Sequence, residues 1–208
     1  NVSILLNNGD GTFAAAVNYG AGDAPLSVFG ADLDSDGDTD LAVANYLSDN
    51  VSILLNNGDG TFAAQVNYGA GDGPRSVFGA DLDSDGDTDL AVANYWSDNV
   101  SILLNNGDGT FAAAVNYGAG DAPLSVFGAD LDSDGDTDLA VANYLSDNVS
   151  ILLNNGDGTF AAQVNYGAGD GPRSVFGADL DSDGDTDLAV ANYWSDNVSI
   201  LLNNGDGT

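Results

Sequence analysis

The sequence repeats with a period of 49 residues, and this regularity limits the possible folds more than any other feature. The segment NVSILL at residues 1–6 returns at Asn50, Asn99, Asn148 and Asn197. The chain therefore consists of repeats 1–49, 50–98, 99–147 and 148–196, followed by the partial repeat 197–208. Repeats of this length are supersecondary units that bury their apolar faces against their neighbours. We predict one tandem-repeat β domain spanning residues 1–208.

Neighbouring repeats are nearly identical. They differ only by Ala16 against Gln65, Ala24 against Gly73, Leu26 against Arg75, and Leu47 against Trp96. Residues 99–196 then copy residues 1–98 without change, so the true unit is a pair of repeats.

Each repeat carries four strand signals. Residues 2–6 alternate in polarity, residues 7–11 have the Asn, Asp and Gly of a tight turn, and residues 13–19 alternate again. Residues 28–31 lead into an acidic loop and residues 41–46 lead out of it. Four short antiparallel strands in 40 to 50 residues are the unit of a β-propeller blade. We predict an all-β fold of tandem four-stranded blades, either as a propeller or as an open array or filament.

The apolar residues of a repeat are expected to fill the space between adjacent sheets, while Ala and Gly allow a close approach. The predicted filling residues of the first repeat are Phe13, Val17, Val28, Phe29, Leu41, Val43 and Tyr46.

The acidic loop DLDSDGDTDL at residues 32–41 recurs unchanged in all four repeats. Two carboxylates 4 Å apart repel by about 4 kcal/mol at an effective dielectric constant near 20. The chain contains two Arg and no Lys, so it cannot neutralise these loops itself. A hard divalent cation is therefore expected in each loop.

The spacing within the loop favours calcium. Asp32, Asp34 and Asp36 stand at the first, third and fifth positions, a glycine follows at the sixth, and Asp38 offers a backbone carbonyl at the seventh. Asp40 closes the loop at the ninth position, whereas an EF-hand has a bidentate Glu at the twelfth. We predict one Ca²⁺ per complete repeat. The predicted metal-site residues are Asp32, Asp34, Asp36, Asp38, Asp40, Asp81, Asp83, Asp85, Asp87, Asp89, Asp130, Asp132, Asp134, Asp136, Asp138, Asp179, Asp181, Asp183, Asp185 and Asp187.

The run VFGADLDSDGDTDLAVANY, followed by NVSILLNNGDGTF, closely resembles the FG-GAP or VCBS repeat of integrin α-subunit propellers, bacterial surface proteins and some fungal lectins. The resemblance implies a metal ion in the hairpin between the first two strands of a blade. It implies ligands at Asp32, Asp34, Asp36 and Asp40, with the carbonyl of Asp38. Propellers of this family usually have seven divergent blades, whereas this chain has four nearly identical repeats and a fragment.

The charge of the chain restricts its partners. The formal net charge is −31, and four calcium ions would still leave −23. Nucleic acids and anionic membranes are therefore not expected as partners, because phosphate binding needs clustered Lys and Arg. No apolar run is long enough for membrane insertion. The remaining partner classes are cations, basic proteins and neutral carbohydrates.

Two features favour an extracellular or cell-surface location. The chain has no Cys, which fits an extracellular protein stabilised by calcium instead of disulfides, although it also fits a cytosolic protein. Its loops lack the Glu that tightens calcium binding, so the low calcium concentration of the cytosol would not fill them. Because the sequence also lacks Met, we expect a processed product or a segment of a longer protein.

Other candidate sites carry weaker signals. Possible N-glycosylation sites lie at Asn50, Asn99, Asn148 and Asn197, although these Asn residues are better interpreted as strand starts. The turn at residues 7–11 could hold a second ion, but turn chemistry explains it.

A possible ligand or interface site is present only in the even repeats. Its residues are Arg75, Trp96, Arg173 and Trp194. These side chains could stack on a carbohydrate, or they could pack between unlike repeats, and we favour packing.

We do not expect an enzyme. The chain has no His, Cys, Lys or Glu to act as a general base, and identical loops offer no carboxylate pair with unequal pKa values. The predicted function is that of an extracellular calcium-binding structural or adhesive repeat protein. The alternatives are a calcium-dependent lectin or ligand-binding propeller, and a product of repeat duplication with no ligand.

Self-association is also predicted. In a closed four-bladed ring, one of the two identical segments 1–12 and 197–208 would be left unpaired, exposing Val198, Ile200 and Leu202. An open strand edge of this kind is a template for association. We expect contacts through the chain ends or the repeat edges, producing a polymer or filament.

Overall fold

The computed structural model describes residues 1–205 and residue 207, and all the regular structure in that part of the chain is β-strand. No helix there could cross a membrane. The strands are β1 (Val2–Ile4), β2 (Val17–Tyr19), β3 (Pro25–Ala31), β4 (Asp40–Asn45), β5 (Asn50–Leu54), β6 (Val66–Gly69), β7 (Pro74–Ala80), β8 (Asp89–Asn94), β9 (Asn99–Leu103), β10 (Val115–Gly118), β11 (Pro123–Ala129), β12 (Asp138–Asn143), β13 (Asn148–Leu152), β14 (Val164–Gly167), β15 (Pro172–Ala178), β16 (Asp187–Asn192) and β17 (Asn197–Leu201).

Three complete sheets are antiparallel meanders of four consecutive strands, β3–β6, β7–β10 and β11–β14. A two-stranded sheet, β1–β2, precedes them, and a three-stranded sheet, β15–β17, follows. The prediction of four-stranded antiparallel units is confirmed. Each complete sheet takes two strands from one 49-residue repeat and two from the next, so the sheets are offset from the sequence repeats.

The sheets stack through their first strands, because β7 contacts both β3 and β11, and β11 contacts β15. Across the described residues the first and last sheets are not closed on each other, so the blades form an open array. Of the two arrangements that the sequence allowed, the open array is the one observed.

The second strand of each complete sheet forms the centre of the core. In β8, Ala91, Val92 and Ala93 are all fully buried, because the strand lies between β7 and β9 and is covered by neighbouring sheets. The predicted burial of Val43 is confirmed. The prediction for Val17 is wrong: its side chain is 53% exposed, because the fourth strand lies at the outer edge of its sheet.

The fourth strand is also shorter than predicted. Residues 13–19 were expected to form one strand, but only Val17–Tyr19 does so, and Phe13 makes an isolated bridge with Asn7. In the following repeats the Phe ring packs on a tyrosine of the preceding sheet, as Phe111 does on Tyr68 with ring centroids 5.4 Å apart. The first residues after the turn thus pack against the preceding sheet, and only the later residues pair as the fourth strand of their own sheet.

Gly128 shows how closely the sheets approach, and this gives a first prediction. An added Cβ at Gly128 would collide with the ring of Phe78 in the preceding sheet. Gly128→Ala should therefore destabilise the protein by about 1–3 kcal/mol in urea unfolding, the usual cost of overpacking. The matched control is Gly30→Ala in the first complete sheet, where the nearest atom is Thr39 Cγ2 at 3.2 Å. Equal losses from both variants would contradict this account of the packing.

Candidate metal centres

Each acidic loop joins the first two strands of a sheet, as the family resemblance implied. In the first complete sheet, residues 32–39 connect β3 to β4. Pairing of Ala31 with Asp40 closes the base of the loop, so the strands on either side hold the two ends in place.

The structure brings carboxylates together in all four loops. Within each group the ligand atoms lie within 4.8 Å of one another. The groups are Asp32, Asp34 and Asp36; Asp81, Asp83 and Asp85; Asp130, Asp132 and Asp138; and Asp179, Asp181 and Asp187. The loops thus concentrate the side chains of the first, third, fifth and ninth positions, with three in each group.

Backbone amides hold the loop in this shape. The carboxylate of Asp32 accepts hydrogen bonds from the N–H of Asp36 at 3.1 Å and of Gly37 at 3.0 Å. Asp36 in turn accepts one from the N–H of Asp38 at 2.9 Å. Gly37 has a φ of 93°, a left-handed conformation that favours glycine. The chain therefore curls around the Asp32 carboxylate.

The ninth-position Asp is the fully buried member of the loop. One oxygen of Asp138 accepts a hydrogen bond from the N–H of Leu131 and the other from the N–H of Asn154, both at 2.8 Å. Asn154 belongs to the next repeat, so this carboxylate ties its loop to the following hairpin. Each carboxylate oxygen has a second lone pair for a metal ion.

Burial changes the acidity of these side chains. It raises the pKa of Asp89 and that of Asp138 to about 6, although N–H donors oppose the rise. The pKa of Asp187 is instead below its ordinary value, because the N–H groups of Asn203 and Leu180 donate to it. Burial, followed by repulsion from neighbouring carboxylates, raises the pKa of Asp132. The loops that contain Asp89 and Asp138 therefore resist full ionisation without a cation.

The residues present fit a calcium ion. Asp132 Oδ1 is buried and has no hydrogen-bond partner, which is costly for a carboxylate oxygen. The surrounding donors are hard carboxylate oxygens, the ligand type that Ca²⁺ takes. A bound ion would supply the positive charge that the loop lacks.

The raised pKa values predict a pH dependence for the metal-free chain. Aspartate in an unfolded chain has a pKa of about 3.9, and folding raises it to about 6 at Asp89 and Asp138. Between these values the folded state binds more protons at these two carboxyls, so their contribution to stability is fully present below the lower pKa and is lost as pH rises through the upper one. Urea unfolding in chelator should show lower stability at pH 7.5 than at pH 5. The double variant Asp89→Asn, Asp138→Asn should have a shallower slope, and a rising profile in the parent chain would refute the assignment.

The predicted seventh-position carbonyl stays a prediction. The side chain of Asp87 lies outside the acidic groups and accepts a hydrogen bond from Ser35 of the preceding repeat at 3.4 Å. Ser35 itself has a left-handed φ of 61°. This contact could not be predicted from the sequence, because the side chains of both residues stand at non-ligand positions of the loop.

Sequence reasoning also missed the role of the Asn at the start of the NNGDG turn. Asn105 donates to the carbonyl of Leu33, 72 residues earlier in the chain, at 2.9 Å.

The second ion considered for the turn at residues 7–11 gains no support. The carboxylate of Asp10 instead accepts hydrogen bonds from the N–H and the hydroxyl of Thr12. These bonds lower the pKa of Asp10.

The predicted Arg and Trp positions meet at the boundary between sheets. Arg75 occupies a β-bulge, with its guanidinium carbon 5.2 Å from the ring centroid of Tyr46 and 5.6 Å from that of Tyr95. Trp96 packs edge-on against Tyr95 at 4.6 Å but remains 63% exposed. An added Cβ at Gly73 would lie 2.5 Å from Trp96, which explains why Gly accompanies Trp in the even repeats.

The sequons at Asn50, Asn99 and Asn148 begin central strands of the sheets, whereas the one at Asn197 begins the edge strand β17. Asn50 begins the central strand β5, and its side-chain oxygen accepts hydrogen bonds from Asn45 at 2.8 Å and Ser48 at 3.1 Å. The sequon hydroxyl of Ser52 is fully buried and donates to Asn67 at 2.7 Å. Glycosylation at these positions stays a prediction.

Comparison with solved structures finds the same fold in proteins of several kinds. A lectin from Agrocybe aegerita that recognises non-reducing terminal N-acetylglucosamine is 27% identical, with a TM-score of 0.67 over 99% of this chain and 58% of the lectin chain. A rhamnogalacturonan lyase from Bacillus licheniformis is 17% identical, with a TM-score of 0.59 over 96% of this chain and 48% of the lyase chain. BBS1N, solved in complex with ARL6DN, is 17% identical, with a TM-score of 0.59 over 86% of this chain and 58% of the other.

This chain thus spans about half the length of these proteins, and the last two likenesses show the fold alone. Comparison with curated proteins finds no match. The FG-GAP-like repeat model matches residues 1–43, 32–92, 81–141 and 130–190, which together cover most of the chain. The protein therefore belongs to the FG-GAP-like repeat family.

Proposed function

We propose that this chain is an extracellular calcium-binding repeat protein with a structural or adhesive role. The observation that carries the proposal is the grouping of acidic side chains in all four loops, where Asp132 has a buried oxygen with no partner. The absence of Cys and of a twelfth-position Glu supports the extracellular location. No catalytic step is included, because the chain has no His, Cys, Lys or Glu.

A structural role follows from what each loop connects. Asp138 holds the loop closed through Leu131 and reaches the next repeat through Asn154. A cation at Asp130, Asp132 and Asp138 would relieve the repulsion among the carboxylates that make these contacts. Calcium would thereby stabilise both a loop and the junction between repeats. The proposal includes self-association through repeat edges, because the sheets that the structure describes form an array that is not closed.

The stoichiometry of calcium binding tests the proposal. We expect four ions per chain by isothermal titration calorimetry. Asp132→Ala removes a member of the acidic group, and it should leave three unaffected sites and weaken the fourth by about tenfold or more. Ser133→Ala is the matched control in the same loop, because its side chain lies outside the acidic group, and it should retain four sites. Absence of calcium binding to the parent chain, or equal loss in the two variants, would reject the assigned site.

Carbohydrate binding is a second candidate function, favoured by the exposed Trp96 beside Arg75 and by the likeness to the Agrocybe aegerita lectin. On a glycan array in calcium, binding should be lost in the double variant Trp96→Ala, Trp194→Ala. Leu47→Ala, Leu145→Ala changes the corresponding positions of the odd repeats and should retain binding. A parent chain that binds no glycan would exclude this candidate.

A further inference from the structure

One buried asparagine connects the first acidic loop to the second. Asn105 lies in the turn that follows β9 and is 5% exposed. Its backbone N–H donates to Asp89 at 2.7 Å, and its side-chain amide donates to the carbonyl of Thr88 at 3.1 Å, both in the second loop. The same amide group donates to the carbonyl of Leu33, in the first loop, at 2.9 Å. A single side chain therefore holds two successive loops.

The two carbonyls that accept these bonds lie next to candidate metal ligands. The carbonyl of Leu33 belongs to the peptide unit that leads into Asp34, the third position of its loop. The carbonyl of Thr88 belongs to the peptide unit that leads into Asp89, the ninth position of the next loop. Because a peptide unit is planar, fixing its carbonyl also fixes the direction in which the chain enters the following residue. Asn105 thus positions one ligand residue in each loop.

The connection between the loops is rigid. An amide side chain offers two N–H donors and one carbonyl oxygen, and Asn105 uses them all, because its oxygen accepts a hydrogen bond from the N–H of Gly107 at 3.1 Å. Leu33 is only 1% exposed, so solvent cannot replace Asn105 as the donor to its carbonyl. The turn also packs closely on the first loop, since an added Cβ at Gly109 would lie 3.1 Å from the Cβ of Asp34. A shift of either loop must therefore disturb the other.

The same bridge recurs at the later junctions between loops. Asn154 donates to the carbonyl of Leu82 in the second loop at 2.8 Å and to that of Thr137 in the third loop at 3.0 Å. Asn203 makes the equivalent contacts to the third and fourth loops. The three asparagines therefore connect all four acidic loops in one line.

Two effects of opposite sign act between neighbouring loops. An ion in one loop reduces the negative potential at the next loop, which weakens binding there. The same ion orders the loop that holds it, and an ordered Asn105 lowers the entropy cost of ordering the neighbouring loop, which strengthens binding there. Charge effects are screened over about 8 Å at physiological ionic strength, whereas direct hydrogen bonds are not. We therefore expect the strengthening effect to dominate.

We infer that the four acidic loops bind calcium with positive cooperativity along the chain, and that Asn105, Asn154 and Asn203 are the positioning residues that couple each loop to the next. This cooperativity rests on the calcium binding of the proposed function, and it adds that each site regulates its neighbours. The coupling is reciprocal, so an ion in either of two linked loops favours binding in the other.

Two variants that differ only in their place along the chain test the coupling. Asp34→Ala and Asp83→Ala remove the same member of the acidic group from the first and the second loop. Both keep three sites, but Asp34→Ala leaves three linked loops in a row, whereas Asp83→Ala isolates the first loop from the other two. Calcium is titrated against a chromophoric chelator in sodium chloride at physiological ionic strength. The weakest site of Asp83→Ala should need about fivefold or more calcium than the weakest site of Asp34→Ala.

Asparagine variants test whether the hydrogen bonds carry the coupling. Asn105→Ala should reduce the cooperativity of the parent chain. The matched control is Asn56→Ala, because Asn56 donates to Thr39 of its own loop at 3.1 Å and, among the described residues, its amide reaches no second loop. This control should keep the cooperativity of the parent. In chelator, Asn105→Ala should also unfold at a lower urea concentration than Asn56→Ala, because it leaves the buried carbonyl of Leu33 without a donor.

Each measurement has an outcome that overturns the coupling. Identical titrations of Asp34→Ala and Asp83→Ala would show independent sites, and tighter binding by Asp83→Ala would show that charge alone acts between loops. Equal cooperativity or equal urea midpoints for Asn105→Ala and Asn56→Ala would reject the asparagine link. Four ions bound independently by the parent chain would reject the coupling and leave the proposed function intact, whereas absence of calcium binding would reject both.

Discussion

Removing calcium with excess chelator should lower the melting temperature by about 20 °C or more relative to millimolar calcium. A ligand that binds only the folded state at 100 times its dissociation constant stabilises it by about 2.7 kcal/mol per site. Four such sites give about 11 kcal/mol, and 1 kcal/mol shifts the melting temperature of a domain of this size by about 2–4 °C. The carboxylate groups at all four loops make this the largest expected effect.

Salt screening needs a separate control, because the chain carries a net charge of −31 and any electrolyte weakens its self-repulsion. Sodium chloride at matched ionic strength should recover only a small part of the stability. Melting curves that coincide in calcium and in chelator would contradict the metal assignment in all four repeats at once.

Asp138→Ala should cause the largest loss of stability of any single loop substitution. The change leaves the buried N–H groups of Leu131 and Asn154 without their acceptor and also removes a carboxylate from the candidate metal site. Each buried donor left unsatisfied costs about 1–3 kcal/mol, so we expect a loss of about 2–6 kcal/mol in urea unfolding even in chelator.

The control for this variant is Asp136→Ala, which makes the same charge change in the same loop. Its side chain lies outside the acidic group, accepts a long hydrogen bond of 3.5 Å from Ser84 and lies close to Gly156 of the next repeat. It should cost less than about 1 kcal/mol. If the two variants lost the same stability in chelator, the two backbone hydrogen bonds to Asp138 would not explain the effect.

Local sequence patterns were sufficient to predict the four-stranded sheets and the acidic loops. The alternation within NVSIL and the loop between β3 and β4 depend on residues that are close in the chain, and both were predicted at the correct places. The gathering of Asp32, Asp34 and Asp36 followed from their spacing alone.

Contacts between repeats could not be predicted in this way. Asn105 reaches the carbonyl of Leu33 across 72 residues, and Phe111 packs on Tyr68 of the preceding sheet. Because the repeats are nearly identical, the sequence does not reveal which neighbour supplies a given partner. The exposure of Val17 was missed for a related reason: alternation identifies a strand but does not show which strand forms the edge of a sheet.

Each complete sheet is a continuous stretch of chain, and this has a mechanical consequence. Sheet β3–β6 occupies residues 25–69 and sheet β7–β10 occupies residues 74–118, so a pulling force can unravel one sheet without removing a strand from the next. The contacts that resist such extraction are those between sheets, where β7 packs against β3 and β11. We therefore expect the array to extend one sheet at a time under force, because each unit contacts only its neighbours.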